Sequence, residues 1–132
     1  MPKLVTDYKI LKTIYDSYYN DYLSFKEGDR ATRNYVPIDI ERVAKKLSVD
    51  SDLLSGRLYF HLDKKYRYQE EENVFVHLYT PRIGKDNNAI HFPLLVSVLA
   101  SLHNDHTKFI WATGFSVIAL SLSILNFVLN NI

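Results

Sequence analysis

At 132 residues the chain has room for one domain, and its 16 Lys and Arg nearly balance 15 Asp and Glu. That balance excludes nucleic-acid binding by bulk positive charge and leaves only a local basic patch for such a role. There is no cysteine, so disulfide frameworks, thiolate zinc sites and cysteine nucleophiles are excluded together.

The opening residues contain no apolar run of the kind that directs secretion. Thr6 and Asp7 mark a helix start, after which Leu11, Ile14, Tyr15, Tyr18, Tyr22 and Phe25 share one face at helical spacing. This aromatic stripe reads as a core face rather than a ligand platform. Residues 26–34 are polar and contain Gly28, as a loop would. Residues 35–38 predict a short strand, which Pro37 confines to a sheet edge or a strand start.

Asp39 is a good N-cap for a brief helix over Ile40–Leu47, with Ile40, Val43, Ala44 and Leu47 inward. Ser48 and Val49 make a tight turn. Asp50 then caps a third helix running to about Asp63, with Leu54, Leu58 and Leu62 inward. Two short amphipathic helices joined so closely point to a helix-turn-helix.

The hydrophobic period then changes from helical to alternating. Residues 66–68 and 74–79 predict two strands joined across the acidic turn at Glu70, Glu71, Glu72 and Asn73. Residues 81–88, with Gly84 and Asn87, read as a second loop, and residues 89–92 as one more short strand. From Pro93 a helix is expected, apolar on nearly all sides over residues 94–102, too short there to cross a bilayer. It should pack on the domain and continue through His103 and His106.

Every Lys, Arg, Asp and Glu lies at or before Lys108, and residues 109–129 form 21 uncharged positions, 15 of them Phe, Ile, Leu, Val, Ala or Trp. At ~1.5 Å per residue that stretch spans about 31 Å, close to the ~30 Å hydrocarbon core of a bilayer. Trp111 sits where an aromatic belt is expected. The part before Lys108 is large enough for one modest core but hardly for covering such a helix on every side. A single transmembrane helix is therefore expected. Passing a charged domain across the bilayer is harder than passing a short tail, so the N-terminal domain is expected on the cytoplasmic side. Within the span Ala112, Ser116, Ala119, Ser123 and Asn126 fall on one helix face. Small residues there would let two such helices approach and form a homodimer, although small residues are common in membrane helices generally.

No nucleophile motif, glycine-rich phosphate loop or compelling carboxylate pair occurs, so neither an enzyme nor a cofactor is expected. His103 and His106, with Asp105 nearby, are a weak ligand set that reads better as a solvated turn, so no metal is expected. His77 and His91 fall in predicted strands and read as sheet-face residues.

The order helix, loop, strand, helix-turn-helix and hairpin resembles a winged helix-turn-helix domain. It is carried by Ile40, Val43, Ala44, Leu47, the Ser48–Val49 turn, Leu54, Leu58 and Leu62, with the hairpin over residues 66–79 standing as the wing. The turn departs from the usual form in having Ser48 where glycine is frequent. With the terminal helix, the layout is similar to membrane-bound transcriptional regulators of the ToxR type, without the sensory domain those carry beyond the membrane. The resulting class is α+β, with a winged-helix-like domain at 1–92, a juxtamembrane helix at 93–108 and a transmembrane helix at 109–129. The resemblance implies a cell inner membrane and duplex DNA as partner, with Ser55, Arg57, His61, Lys64 and Lys65 on the third helix and Arg82 and Lys85 as loop contacts. Against this, Asp50, Asp52 and Glu70–Glu72 would repel phosphates. A membrane-anchored adaptor or assembly subunit, binding protein on the same scaffold, stands as the alternative.

Overall fold

The computed structural model describes residues 4–131. The fold is α+β, and contacts divide it into a first unit ending at Leu99 and a second beginning at Ala100.

Helix α1 (Asp7–Leu23) starts where Thr6 accepts a hydrogen bond from the Lys9 amide, and it stops at Ser24. Phe25, expected on its face, lies just beyond it, where the Arg30 guanidinium covers its ring. Ile10, Leu11, Ile14 and Tyr18 are buried. The Tyr18 hydroxyl accepts from the Asp39 amide at 2.7 Å, joining α1 to the start of the next helix. Tyr15 and Tyr22 stack on Phe92, which is fully buried. The aromatic stripe is thus largely a core face.

Strand β1 (Tyr35–Pro37) leads into α2 (Ile40–Leu47), capped by Asp39 and buried at the four expected positions. Ser48 ends α2 in the left-handed region at φ 57, the conformation for which glycine is favoured. Asp50 caps α3 (Ser51–Gly56) by accepting from the Asp52 and Leu53 amides. The helical run then widens into a π stretch (Arg57–Leu62) and closes as α4 (Asp63–Tyr66). The expected end near Asp63 is three residues early, and Tyr66 closes the helix instead of opening a strand.

The widening has a reason in the sequence. Leu54, Leu58 and Leu62 repeat at steps of four, which drift around a 3.6-residue helix by ~40° per step. A wider turn cancels that drift, and all three are buried.

Two hairpins follow. Strands β2 (Tyr68–Glu71) and β3 (Val74–Val76) pair only with each other, with Asn73 at positive φ in the turn and an irregular register near Glu71. The stretch 81–88 is not a loop. Strand β4 (Tyr79–Ile83) and β5 (Asp86–His91) form a second hairpin, turning at Gly84 and Lys85, and β5 also pairs with β1. The larger sheet has the order β1-β5-β4, so β1 and β4 are its edges. Ile38 and Leu78 direct their backbone groups inward, to Asn88 and His91. By alternation Pro37 and Pro81 occupy outward-pointing positions, where no N–H is needed. Val36, Tyr79, Ala89 and Ile90, with Leu78 just before β4, carry the sheet's share of the core.

Helix α5 runs from Phe92 to Asn130. In the first unit it buries Phe92, Leu95 and Leu99. In the second, every described side chain from residue 108 onward is exposed, and an 18-residue window of mean hydropathy 1.9 has none of its length buried. One helix among the described residues is therefore long and apolar enough to span a membrane.

Candidate functional site

The basic residues of the third helical run separate into groups. Arg57, His61 and Lys65 follow one another at steps of four on a face that meets Asp7, the first residue of α1. The Asp7 carboxylate accepts from Arg57 at 2.6 Å, Tyr66 at 2.9 Å and Lys65 at 3.1 Å. His61 Nε2 lies 3.8 Å away, and Arg57 also donates to the Val5 carbonyl at 2.7 Å. Burial alone raises the Asp7 carboxyl, but hydrogen bonds from Lys65, Tyr66 and Arg57 outweigh it and hold the group below the usual carboxylate value. Burial, reinforced by Asp7, pushes the Tyr66 phenol up. Three residues expected at a DNA groove here face the first residue of α1, Arg57 and Lys65 as its ion partners.

Ser55 is half-buried and hydrogen-bonds Tyr79, whose phenol burial pushes up. Of the seven residues expected at a DNA groove, Lys64, Arg82 and Lys85 are exposed and form no ion pair among the described residues. Arg82 lies in β4 and Lys85 at the hairpin turn, distinct in chain position from the helix.

The sequence reading missed what the helical run displays. Leu53, Tyr59 and Phe60 are 71%, 54% and 76% exposed. The Tyr59 and Phe60 rings meet edge to face, centroids 4.9 Å apart. A signal was present, since neither residue falls on the Leu54, Leu58, Leu62 stripe. The two rings border a depression of about 490 Å³, with Lys64, Arg67, His77 and Pro81 also on its walls. The Arg67 guanidinium lies 3.9 Å from the Phe75 ring centroid. Asp63, the carboxylate in this wall, is already engaged by His77 Nδ1 at 2.9 Å and by the Tyr79 amide at 3.2 Å. The outward amide of Tyr79 is thus used and Pro81 has none, so β4 offers little for an added strand. Leu53 instead borders an apolar depression of about 430 Å³ with Val5 and Ile10, whose polar edge, Arg57 and His61, already faces Asp7.

His77 and His91 are both tied to Tyr35. Its hydroxyl donates to the His77 carbonyl at 3.3 Å, and its ring meets the His91 ring edge to face. His91 Nδ1 accepts from the Leu94 amide at 3.1 Å, capping the start of α5. Burial lowers the His91 ring below the ordinary value of 6.5, partly offset by a backbone hydrogen bond. A protonated Nδ1 cannot accept. Stability held by the neutral ring at neutral pH is therefore lost as pH falls through 6.5 and levels off below the folded value. Replacing His91 by Asn, which keeps an acceptor, should flatten the fall in urea midpoint between about pH 7.5 and about pH 5. An equal fall in both proteins would refute this.

His103 lies on α5, and the His106 side chain is outside the described residues. Among the described residues no three His, Asp or Glu side chains gather as a metal set. In the second unit Ala112, Ser116, Ala119, Ser123 and Asn126 are all helical and exposed. Ser116 and Ser123 donate to the Ala112 and Ala119 carbonyls at 3.0 Å, so their protons are satisfied within the helix. No protein-family model, no curated protein sequence and no solved structure matches this chain.

Proposed function

We propose that the chain is a membrane-anchored protein-interaction module, in which a winged-helix-like domain presents its third helical run to a protein. The reading of the domain is supported by the succession α1, β1, two helices joined at Ser48–Val49, and a returning hairpin. Its wing passes from β2–β3 to β4–β5, the hairpin that pairs with β1. The anchor reading is supported by the exposed apolar run of α5. Lys108 flanks that run on the domain's side, which favours a cytoplasmic domain. The inner membrane rests on the ToxR-type resemblance, and homodimerisation through the small-residue face of α5 on its composition.

The observation that carries the proposal is the exposed pair Tyr59 and Phe60 on the very helix that would enter a groove, while Arg57, His61 and Lys65 face Asp7. Exposed aromatics mark protein contacts, and phosphate contact needs free cations. Asp50 and Asp52 at the start of α3 add repulsion. Two measurements test it. A photo-crosslinking amino acid at Phe60 in the full chain in membranes should give discrete protein adducts. The detergent-solubilised chain should leave the anisotropy of labelled duplex DNA unchanged at low salt. Steeply salt-dependent DNA binding, lost in Arg57→Glu with Lys64→Glu, would replace this reading with the DNA-binding regulator.

A further inference from the structure

We infer that the partner of this surface is a second copy of the chain, the acidic tip of each β2–β3 hairpin seating in the Tyr59–Phe60 depression of the other. The inference rests on the protein-interaction reading and names its partner.

The hairpin needs cover. A two-stranded sheet is marginal in water by itself, and both outer edges of this one are unpaired. Every side chain from Tyr68 to Val74 is exposed, with Tyr68 at 59% and Val74 at 44%. Glu70, Glu71 and Glu72 form no ion pair among the described residues.

The depression has complementary chemistry. Lys64 is exposed and without an ion pair, Arg67 and His77 share the wall, and the carboxylate of Asp63 is already satisfied. Tyr59 and Phe60 supply an apolar wall for Val74, next to the acidic turn. An extended strand along β4 is the poorer occupant, because the outward positions there are a used amide and a proline. A charged tip with an apolar neighbour suits the site better.

The topology lets both contacts form at once. Arg67 immediately precedes β2 and His77 follows β3, so the depression lies at the base of the hairpin whose tip is acidic. Four extended residues separate tip from base by ~13 Å. Two hairpins laid antiparallel about a two-fold axis put each tip at the other's base, a closed and self-complementary arrangement. Confinement to one membrane raises the effective concentration of the copies.

Absence of cysteine makes the test clean. Full-length chains carrying Glu72→Cys and chains carrying Lys64→Cys are co-inserted into vesicles and mildly oxidised. A mixed disulfide is expected at roughly fivefold the yield of a Glu72→Cys and Lys45→Cys control pair, falling to the control level when Glu70→Lys and Glu71→Lys are added. Lys45 is exposed on α2, away from the hairpin in sequence. A yield no higher than the control overturns the inference, and so does a yield indifferent to the charge reversal. Phe60 adducts to another protein alongside a control-level yield would leave the interaction reading standing while this inference falls. Missing adducts together with DNA binding would remove both.

Discussion

Truncation after Lys108 is expected to move the chain from the carbonate-resistant membrane pellet to the supernatant. Twelve of residues 109–129 are Phe, Ile, Leu or Val. At roughly −0.3 to −0.6 kcal/mol each, they favour insertion by about 4 to 7 kcal/mol. That is roughly three to five powers of ten in partition, before the smaller cost of Thr113, the serines and Asn126. The structure adds that every described side chain from residue 108 onward is exposed within its own unit. Full-length protein in the carbonate supernatant, free of detergent and monomeric, would be the contrary result.

The second large effect concerns Asp7. Its replacement by Ala should destabilise the domain by about 2 to 3 kcal/mol, because half-buried Arg57 and the Tyr66 hydroxyl lose their acceptor. Part of that figure is already discounted for Lys65, which is half exposed and gains little from its pair. Asp7→Asn keeps an acceptor oxygen and should cost less. The exposed pair of Lys12 and Asp16 on α1, 2.8 Å apart, supplies the contrast. Its loss should change stability by no more than ~0.5 kcal/mol. Urea unfolding of the full chain in detergent, followed by aromatic circular dichroism, measures all three. Because the folded carboxyl is held below its unfolded value near 3.8, its contribution is complete above that value and disappears as pH falls through the lower, folded one. Equal urea midpoints for Asp7→Ala and Lys12→Ala would show that the cluster is ornamental.

The sequence made some elements legible because their causes are local. Asp39 and Asp50 cap where expected, and the buried face of α2 follows from spacing within eight residues. β1 was readable as an edge because Pro37 forbids a central place. Most of β4 and the first half of β5 were not readable, since Pro81, Arg82, Gly84, Asn87 and Asn88 have turn composition, whereas residues 89–91 were read as a strand. β5 owes its strand character to pairing with β1, some fifty residues earlier, and to burial of Ala89 and Ile90, and β4 pairs in turn with β5. The Asp7 cluster was hidden for the same reason, its partners lying 50 to 59 positions away. The sharing of Arg57 and Lys65 with Asp7 was therefore not visible in the sequence. The π stretch was half visible, in a leucine spacing that an ordinary helix cannot keep on one face.

The prolines on both rims of the larger sheet bear on how the chain survives synthesis. Before the helices have packed, a partly assembled sheet exposes rims on which neighbouring nascent chains can grow fibrils. Pro37 and Pro81 each withhold a donor at an outward position, one on either side. Runaway aggregation is thereby discouraged at both borders.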